Sequence, residues 1–135
     1  MKTCLVVDDS SVIRKVARRI LEGLEFQIME AENGEEAIET CKRQLPDAIL
    51  LDWNMPKMDG REVLARIKGD PGLKLIPTII LTTSDAGVDI SESYLLQANC
   101  YLTKPVKLDD FENLVKSITD FWLTMVKLPL QPQTW

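Results

Sequence analysis

The chain contains no histidine. That excludes a histidine-based catalytic triad, an imidazole metal centre and any phosphohistidine carried by this chain. Cysteine is scarce: Cys4, Cys41 and Cys100, with no C-x-x-C pair. An odd, widely spaced set does not make a disulfide framework, and it suits reduced, mostly buried packing residues of a cytosolic protein. No run of 18 apolar residues occurs, so no transmembrane helix is expected. Met1 to Val7 is too short, and too soon followed by acids, for a secretory signal. Basic residues are the minority, 16 Lys and Arg against 21 Asp and Glu, for a net charge of −5. A phosphate-binding footprint wants the opposite balance, so no nucleic-acid partner is expected. No G-x-G-x-x-G follows the first apolar run, which counts against dinucleotide binding. The expectation is a cytoplasmic protein with neither a membrane nor a nucleic-acid partner.

What is present fits one ordinary globular domain: 135 residues, 45% hydrophobic and 27% charged. A chain of this size buries roughly two-thirds of its unfolded surface. Its organising stretch is Asp47 to Gly60. The apolar run Ala48 to Leu51 stops at Asp52, and a polar loop with Asn54, Pro56 and Gly60 follows. Short bounded apolar runs read as strands buried on both faces. Four others recur: β1 (Thr3 to Val7), β2 (Phe26 to Glu30), β4 (Thr78 to Thr82) and β5 (Asn99 to Leu102), with Ala48 to Leu51 as β3.

Helical patterns lie between and after them. Val12, Ile13, Val16, Ala17, Ile20, Leu21 and Leu24 repeat at three- and four-residue steps, with Arg14, Lys15, Arg18 and Arg19 on the other face. This is α1, capped by Ser10 or Ser11 and closing near Gly23. Asn33-Gly34 reads as a turn before α2 (Glu35 to Gln44). Then come α3 (Arg61 to Lys68), a short α4 (Val88 to Gln97) and α5 (Leu108 to Trp122). Five alternations of strand and helix predict an α/β fold, a doubly wound (βα)5 parallel sheet in the order 2-1-3-4-5.

The polar signals then share one address. Asp8 and Asp9 follow β1, Asp52 ends β3, Thr82 ends β4 and Lys104 follows β5. In a parallel sheet these ends lie along one rim, beside the switch point where ligands bind. Stability alone does not collect three carboxylates, since like charges raise one another's pKa. A hard divalent cation, Mg²⁺ or Mn²⁺, makes the cluster tolerable. A lysine beside it neutralises phosphate oxygens, and a threonine hydroxyl can donate to one. The set describes phosphoryl transfer onto a carboxylate nucleophile, with Asp52 the central acceptor.

Together, Asp8-Asp9, Asp52-Trp53-Asn54-Met55-Pro56-Lys57-Met58-Asp59-Gly60, Thr82 and Lys104-Pro105 resemble the receiver domain of two-component response regulators, over roughly residues 3 to 120. Receivers share the flavodoxin-like strand order. The Asp-Trp-Asn-Met-Pro form resembles the CheY-like chemotaxis subgroup. The resemblance implies that Asp52 accepts phosphate from a histidine kinase. It implies that Asp9 and Asp52 bind Mg²⁺ through side chains, Asn54 through its backbone carbonyl and Asp8 mostly through water. Lys104 pairs with the phosphate, Thr82 swings toward it, with Thr83 as the rival hydroxyl, and Tyr101 changes rotamer in step. By the same resemblance, Asn54 and Ser84 are expected to tune phosphate lifetime. The surface of α4, β5 and α5 reports the state.

Two departures from that pattern stand out. Receivers often carry Gly-Ala before β5, where this chain has Gln97-Ala98. If the position needs φ > 0, glutamine costs roughly 1 kcal/mol relative to glycine. The second is residues 121–135, an apolar extension too short for a DNA-binding output domain. Phe121 to Pro129 resembles the extension of small phytochrome-associated response regulators, as does Asn99 to Pro105. One reading is a mosaic, natural or engineered, joined between Gly60 and Pro77. The extension either folds back over residues 1–120 or covers a partner subunit. The second option implies a homodimer through α4, β5, α5 and the tail. The expected function is a single-domain phosphoacceptor switch, fed by a phytochrome-type or chemotaxis-type kinase, with self-directed chemistry only. The alternatives are a phosphorylation-independent adaptor, a nucleotide- or flavin-binding protein, and an aspartate-nucleophile phosphatase.

Overall fold

The computed structural model describes residues 2–23, 26–55, 57–83, 86–105, 107–118 and 120–121. Leu24 of the α1 stripe, Pro56, Ser84, the side chain of Leu108 and the tail from Trp122 onward lie outside the described residues. The strands are β1 (Thr3–Val7), β2 (Gln27–Ala31), β3 (Ala48–Leu51), β4 (Thr78–Thr82) and β5 (Cys100–Thr103). They pair in parallel in the order β2-β1-β3-β4-β5. The helices are α1 (Ser11–Gly23), α2 (Gly34–Arg43), α3 (Gly60–Gly69), α4 (Gly87–Leu95) and α5 (Leu108–Ile118). This is the expected architecture, with β2 and β5 each shifted one residue along the chain.

Every residue of β1, β3 and β4 is buried, which explains why these strands read as unbroken apolar runs. Successive side chains point to opposite faces. Leu5, Val7, Ile49, Leu51, Ile80 and Tyr101 enter the core layer under α2 and α3. Cys4, Val6, Leu50, Ile79 and Leu81 enter the layer beneath α1 and α5, with Phe111 and Val115. Each fully buried leucine or isoleucine contributes roughly 1.5–3 kcal/mol. Burial holds the Cys4 thiol up at about 12 and Cys41 at about 11, so both are inert packing groups.

Helix starts follow local chemistry. Ser10 is the α1 cap: its Oγ accepts from the Ile13 N–H at 3.3 Å. Asn33 caps α2, and its side chain accepts from the Glu36 N–H at 3.0 Å. The expected Asn33-Gly34 turn is therefore the cap and first residue of that helix. Asp59 caps α3 in the same way. Two α1 assignments change. Val12, in the first turn of the helix, is 63% exposed rather than inward. Arg14 is turned inward, as described below. In α4, Val88 and Leu95 are exposed and Ser93 is the buried residue. Gln97, just beyond it, has φ of 72°, so the chain places glutamine where glycine is favoured.

Candidate functional site

Strand register sets the site. Val7 lies beside Leu51, Leu51 beside Ile80 and Thr82 beside Thr103, so β1 and β3 end at one level and β4 and β5 run two residues further along the same edge. The residues that follow meet at a rim cavity of about 350 Å³, lined by Asp8, Asp9, Asp52, Asn54, Thr83 and Lys104 among others. One carboxylate oxygen from each of Asp8, Asp9 and Asp52 lies within 4.8 Å of the other two. Asp8 and Asp52 are buried and Asp9 is exposed.

The backbone at each end is tied to its neighbour. The Asp52 N–H donates to Val7 O at 2.9 Å, and the Lys104 N–H donates to Thr82 O at 2.7 Å. Behind Asp52 the loop folds back so that the Gly60 N–H donates to Trp53 O at 2.9 Å. A Cβ at Gly60 would stand 2.4 Å from Asp52 O, so only glycine lets α3 start this close to the end of β3. Lys57 in the same loop has φ of 65°.

Lys104 is the cation of the cluster. Its Nζ donates to Asp8 Oδ2 at 2.5 Å and lies 3.5 Å from Asp52 Oδ2. Burial pushes the Asp8 carboxyl above its usual value, against the bonds from Lys104 and the Ser10 N–H. Three carboxylates and one ammonium leave two uncompensated negative charges if all are ionised. Hard oxygen donors converging on a half-enclosed, negative pocket fit a divalent cation.

Thr82 is fully buried, and its Oγ1 is the only buried side-chain polar atom without a hydrogen-bond partner among the described residues. Thr83 is exposed and lines the cavity. Tyr101 is buried beside Ile80, two residues before Thr82 on the same face, which makes Thr82 and Tyr101 diagonal neighbours. The Tyr101 N–H donates to the hydroxyl of Tyr94 on α4 at 3.2 Å. The structure thus brings Asp8, Asp9, Asp52, Asn54 and Lys104 together, and sets Thr82 and Tyr101 beneath the rim.

Three contributors escaped sequence reasoning. Arg14 donates from Nη1 to the main-chain O of Asp8 at 2.6 Å and from Nε to Glu30 Oε1 at 3.1 Å. Helical periodicity alone places it on the solvated face of α1. Its place in the first turn of the helix that follows an acid pair was the available signal. Lys107 and Phe111 complete the cavity wall, and nothing local marks them.

A family model, the response regulator receiver domain, matches residues 4–116. The chain belongs to the response regulator receiver family. Response regulator Rcp1 of Synechocystis sp. is 40% identical over 95% of this chain and 93% of its own length. Chemotaxis protein CheY1 of Helicobacter pylori is 35% identical over 75% of this chain and 83% of its own. Among solved structures, the Mn²⁺-bound form of Rcp1 superposes with a TM-score of 0.91 at 40% identity, covering 96% of this chain and 100% of that one. The phosphorylated cyanobacterial phytochrome response regulator RcpA does so with 0.91 at 38%, covering 96% and 99%. The receiver is a response regulator domain of the two-component phosphorelay type, a signalling switch rather than a classical enzyme. Receivers are phosphorylated by histidine kinases. Among the described residues, no helix is long and apolar enough to cross a membrane.

Proposed function

We propose that Asp52 is the phosphoacceptor of this receiver and that Mg²⁺ is its working cation. The observation that carries this is the convergence of the Asp8, Asp9 and Asp52 carboxylates beside Lys104. Asp9 and Asp52 would hold the metal through side chains, Asn54 through its backbone carbonyl, and Asp8 mostly through water. When bound, the cation neutralises phosphoryl oxygens and helps align the group for in-line transfer.

The chain's own residues do the rest. A carboxylate oxygen of Asp52 attacks the phosphorus of a donor phosphohistidine, the O–P bond forms, and the P–N bond breaks with its electron pair left on the imidazole. Lys104, already within 3.5 Å of Asp52, neutralises charge on the transferred group. The phosphate brings close to two negative charges and three acceptor oxygens. The buried Thr82 hydroxyl has no partner until then, so an acceptor at the rim gives it one. Its movement empties space on the face that Tyr101 shares, and Tyr101 follows. Asn54 and Ser84 tune the lifetime of the phosphate. Autodephosphorylation and phosphotransfer are the only reactions.

Residues 1–120 form the receiver, and residues 121–135 act as an apolar extension that joins α4, β5 and α5 in a homodimer. The kinase is of the phytochrome type, by likeness to RcpA, and the protein works in the cytoplasm. The test is incubation with Mg²⁺ and acetyl phosphate, followed by intact mass. A gain of one phosphate that Asp52→Asn abolishes is expected. No gain, or one that survives Asp52→Asn, overturns the assignment.

A further inference from the structure

Asp8 is held at every polar atom it has. Its N–H donates to Ala31 O at 3.1 Å. Its Oδ1 accepts from the Ser10 N–H at 2.9 Å and its Oδ2 from Lys104 Nζ at 2.5 Å. Its main-chain O accepts from Arg14 Nη1 at 2.6 Å. That last bond differs in kind. It is charge-assisted, and it fixes the peptide plane that joins Asp8 to the exposed Asp9. Rotating that plane moves the Cα of Asp9 and so the direction of its carboxylate.

Arg14 is itself fixed from the far side. Its Nε donates to Glu30 Oε1 on β2, and the other oxygen of Glu30 accepts from Arg18 Nε at 2.5 Å. Arg18 continues to Ile28 O and to Glu22. The Arg14 side chain is 14% exposed, so solvent screens this arrangement little. A guanidinium suits the place because its planar fork serves a carboxylate and a carbonyl at once, while an ammonium offers one point of charge.

We propose that Arg14, anchored by Glu30, is a positioning residue for the cation. It orients the Asp8–Asp9 peptide so that both carboxylates face Asp52 before any metal arrives. This deepens the proposed site and rests on Mg²⁺ binding there. Groups that orient metal ligands typically contribute 10–100-fold to affinity when lost. Arg14 is also a cation near a cation site. As mere charge it would repel Mg²⁺, and its removal would tighten binding. The two roles therefore predict opposite signs.

The experiment is a MgCl₂ titration of Trp53 fluorescence in the wild type, Arg14→Lys, Arg14→Gln and Glu30→Gln, with thermal unfolding of each in metal-free buffer. Weaker Mg²⁺ binding is expected in all three variants, by about 10-fold in Arg14→Lys and Arg14→Gln. Faster amide exchange at Ser10 in Arg14→Lys without metal is the matching structural readout. Unchanged affinity with only a lower melting temperature means a purely structural role and overturns the proposal. Tighter binding in Arg14→Gln, with Arg14→Lys like the wild type, overturns it in favour of charge. A wild type that binds no Mg²⁺ sinks the site reading and this proposal together, whereas normal wild-type binding with unaffected variants sinks this proposal alone. Should Arg14→Gln fail to fold, Arg14→Lys decides, because it keeps the charge and loses the planar fork: weaker binding supports the proposal and wild-type affinity overturns it.

Discussion

Mg²⁺ should stabilise this receiver, and the stabilisation should grow with pH. At 4.8 Å and an effective dielectric of 20, a pair of unit charges interacts by roughly 3 kcal/mol. The three carboxylate oxygens all lie within that distance, and among the described residues Lys104 is the cation paired with Asp8 and Asp52. Burial raises the Asp8 carboxyl above its ordinary value. A raised acid favours the folded state while protonated. That contribution is complete below the unfolded value, about 4, and is lost as pH rises through the higher folded value. Protons and Mg²⁺ compete for the same oxygens, so metal restores what ionisation removes. At a free Mg²⁺ concentration 100 times the Kd, linkage gives about 2.7 kcal/mol. For a domain of this size that raises the melting temperature by roughly 8–13 °C. Differential scanning calorimetry at pH 5 and pH 8, with and without Mg²⁺, measures both numbers. The shift should be clearly larger at pH 8 and reduced in Asp52→Asn. A shift equal at the two pH values, or undiminished in Asp52→Asn, refutes the argument that these carboxylates hold the metal.

Three further outcomes follow from named positions. Gln97→Gly removes a side chain from a residue at φ of 72° and should raise urea stability by about 0.5–1 kcal/mol, where an unchanged or lower midpoint would show that the left-handed turn is not strained. Thr82→Val removes a buried hydroxyl that has no partner, so the unphosphorylated protein should be as stable or up to roughly 1–2 kcal/mol more stable, while acetyl phosphate should no longer change the Tyr101 environment seen by NMR. A Thr82→Val protein that is markedly less stable would mean that the hydroxyl is satisfied after all. Gly60→Ala puts a Cβ 2.4 Å from Asp52 O and should cost roughly 1–3 kcal/mol and slow phosphate uptake, and a wild-type rate would show that the Asp52 backbone can shift without harm.

Much of this arrangement was legible in one dimension. The unbroken runs at Thr3–Val7, Ala48–Leu51 and Thr78–Thr82 mark strands covered on both faces. The residues that end them must share one rim in a parallel sheet, so Asp8, Asp9, Asp52 and Lys104 could be gathered without coordinates. Gln97 was also legible, because a turn into β5 needs a left-handed residue whatever its identity. Arg14 was not. Helical periodicity sorts α1 into an apolar stripe and its complement, and it cannot say that one complement residue reaches back to Asp8 and Glu30.

The polypeptide sequence by itself determined which side chains arrive at the rim, because strand length, alternation and crossover handedness leave little choice. Tertiary structure alone decided how they divide the charge there. Lys104 bonds Asp8 more closely than Asp52, Thr82 is sealed in without a partner, and Gly60 lies against the Asp52 carbonyl. Those outcomes depend on gaps of an ångström between segments far apart in the chain. Local propensity and periodicity carry no information at that scale, whereas close packing and the pairing of buried charge do.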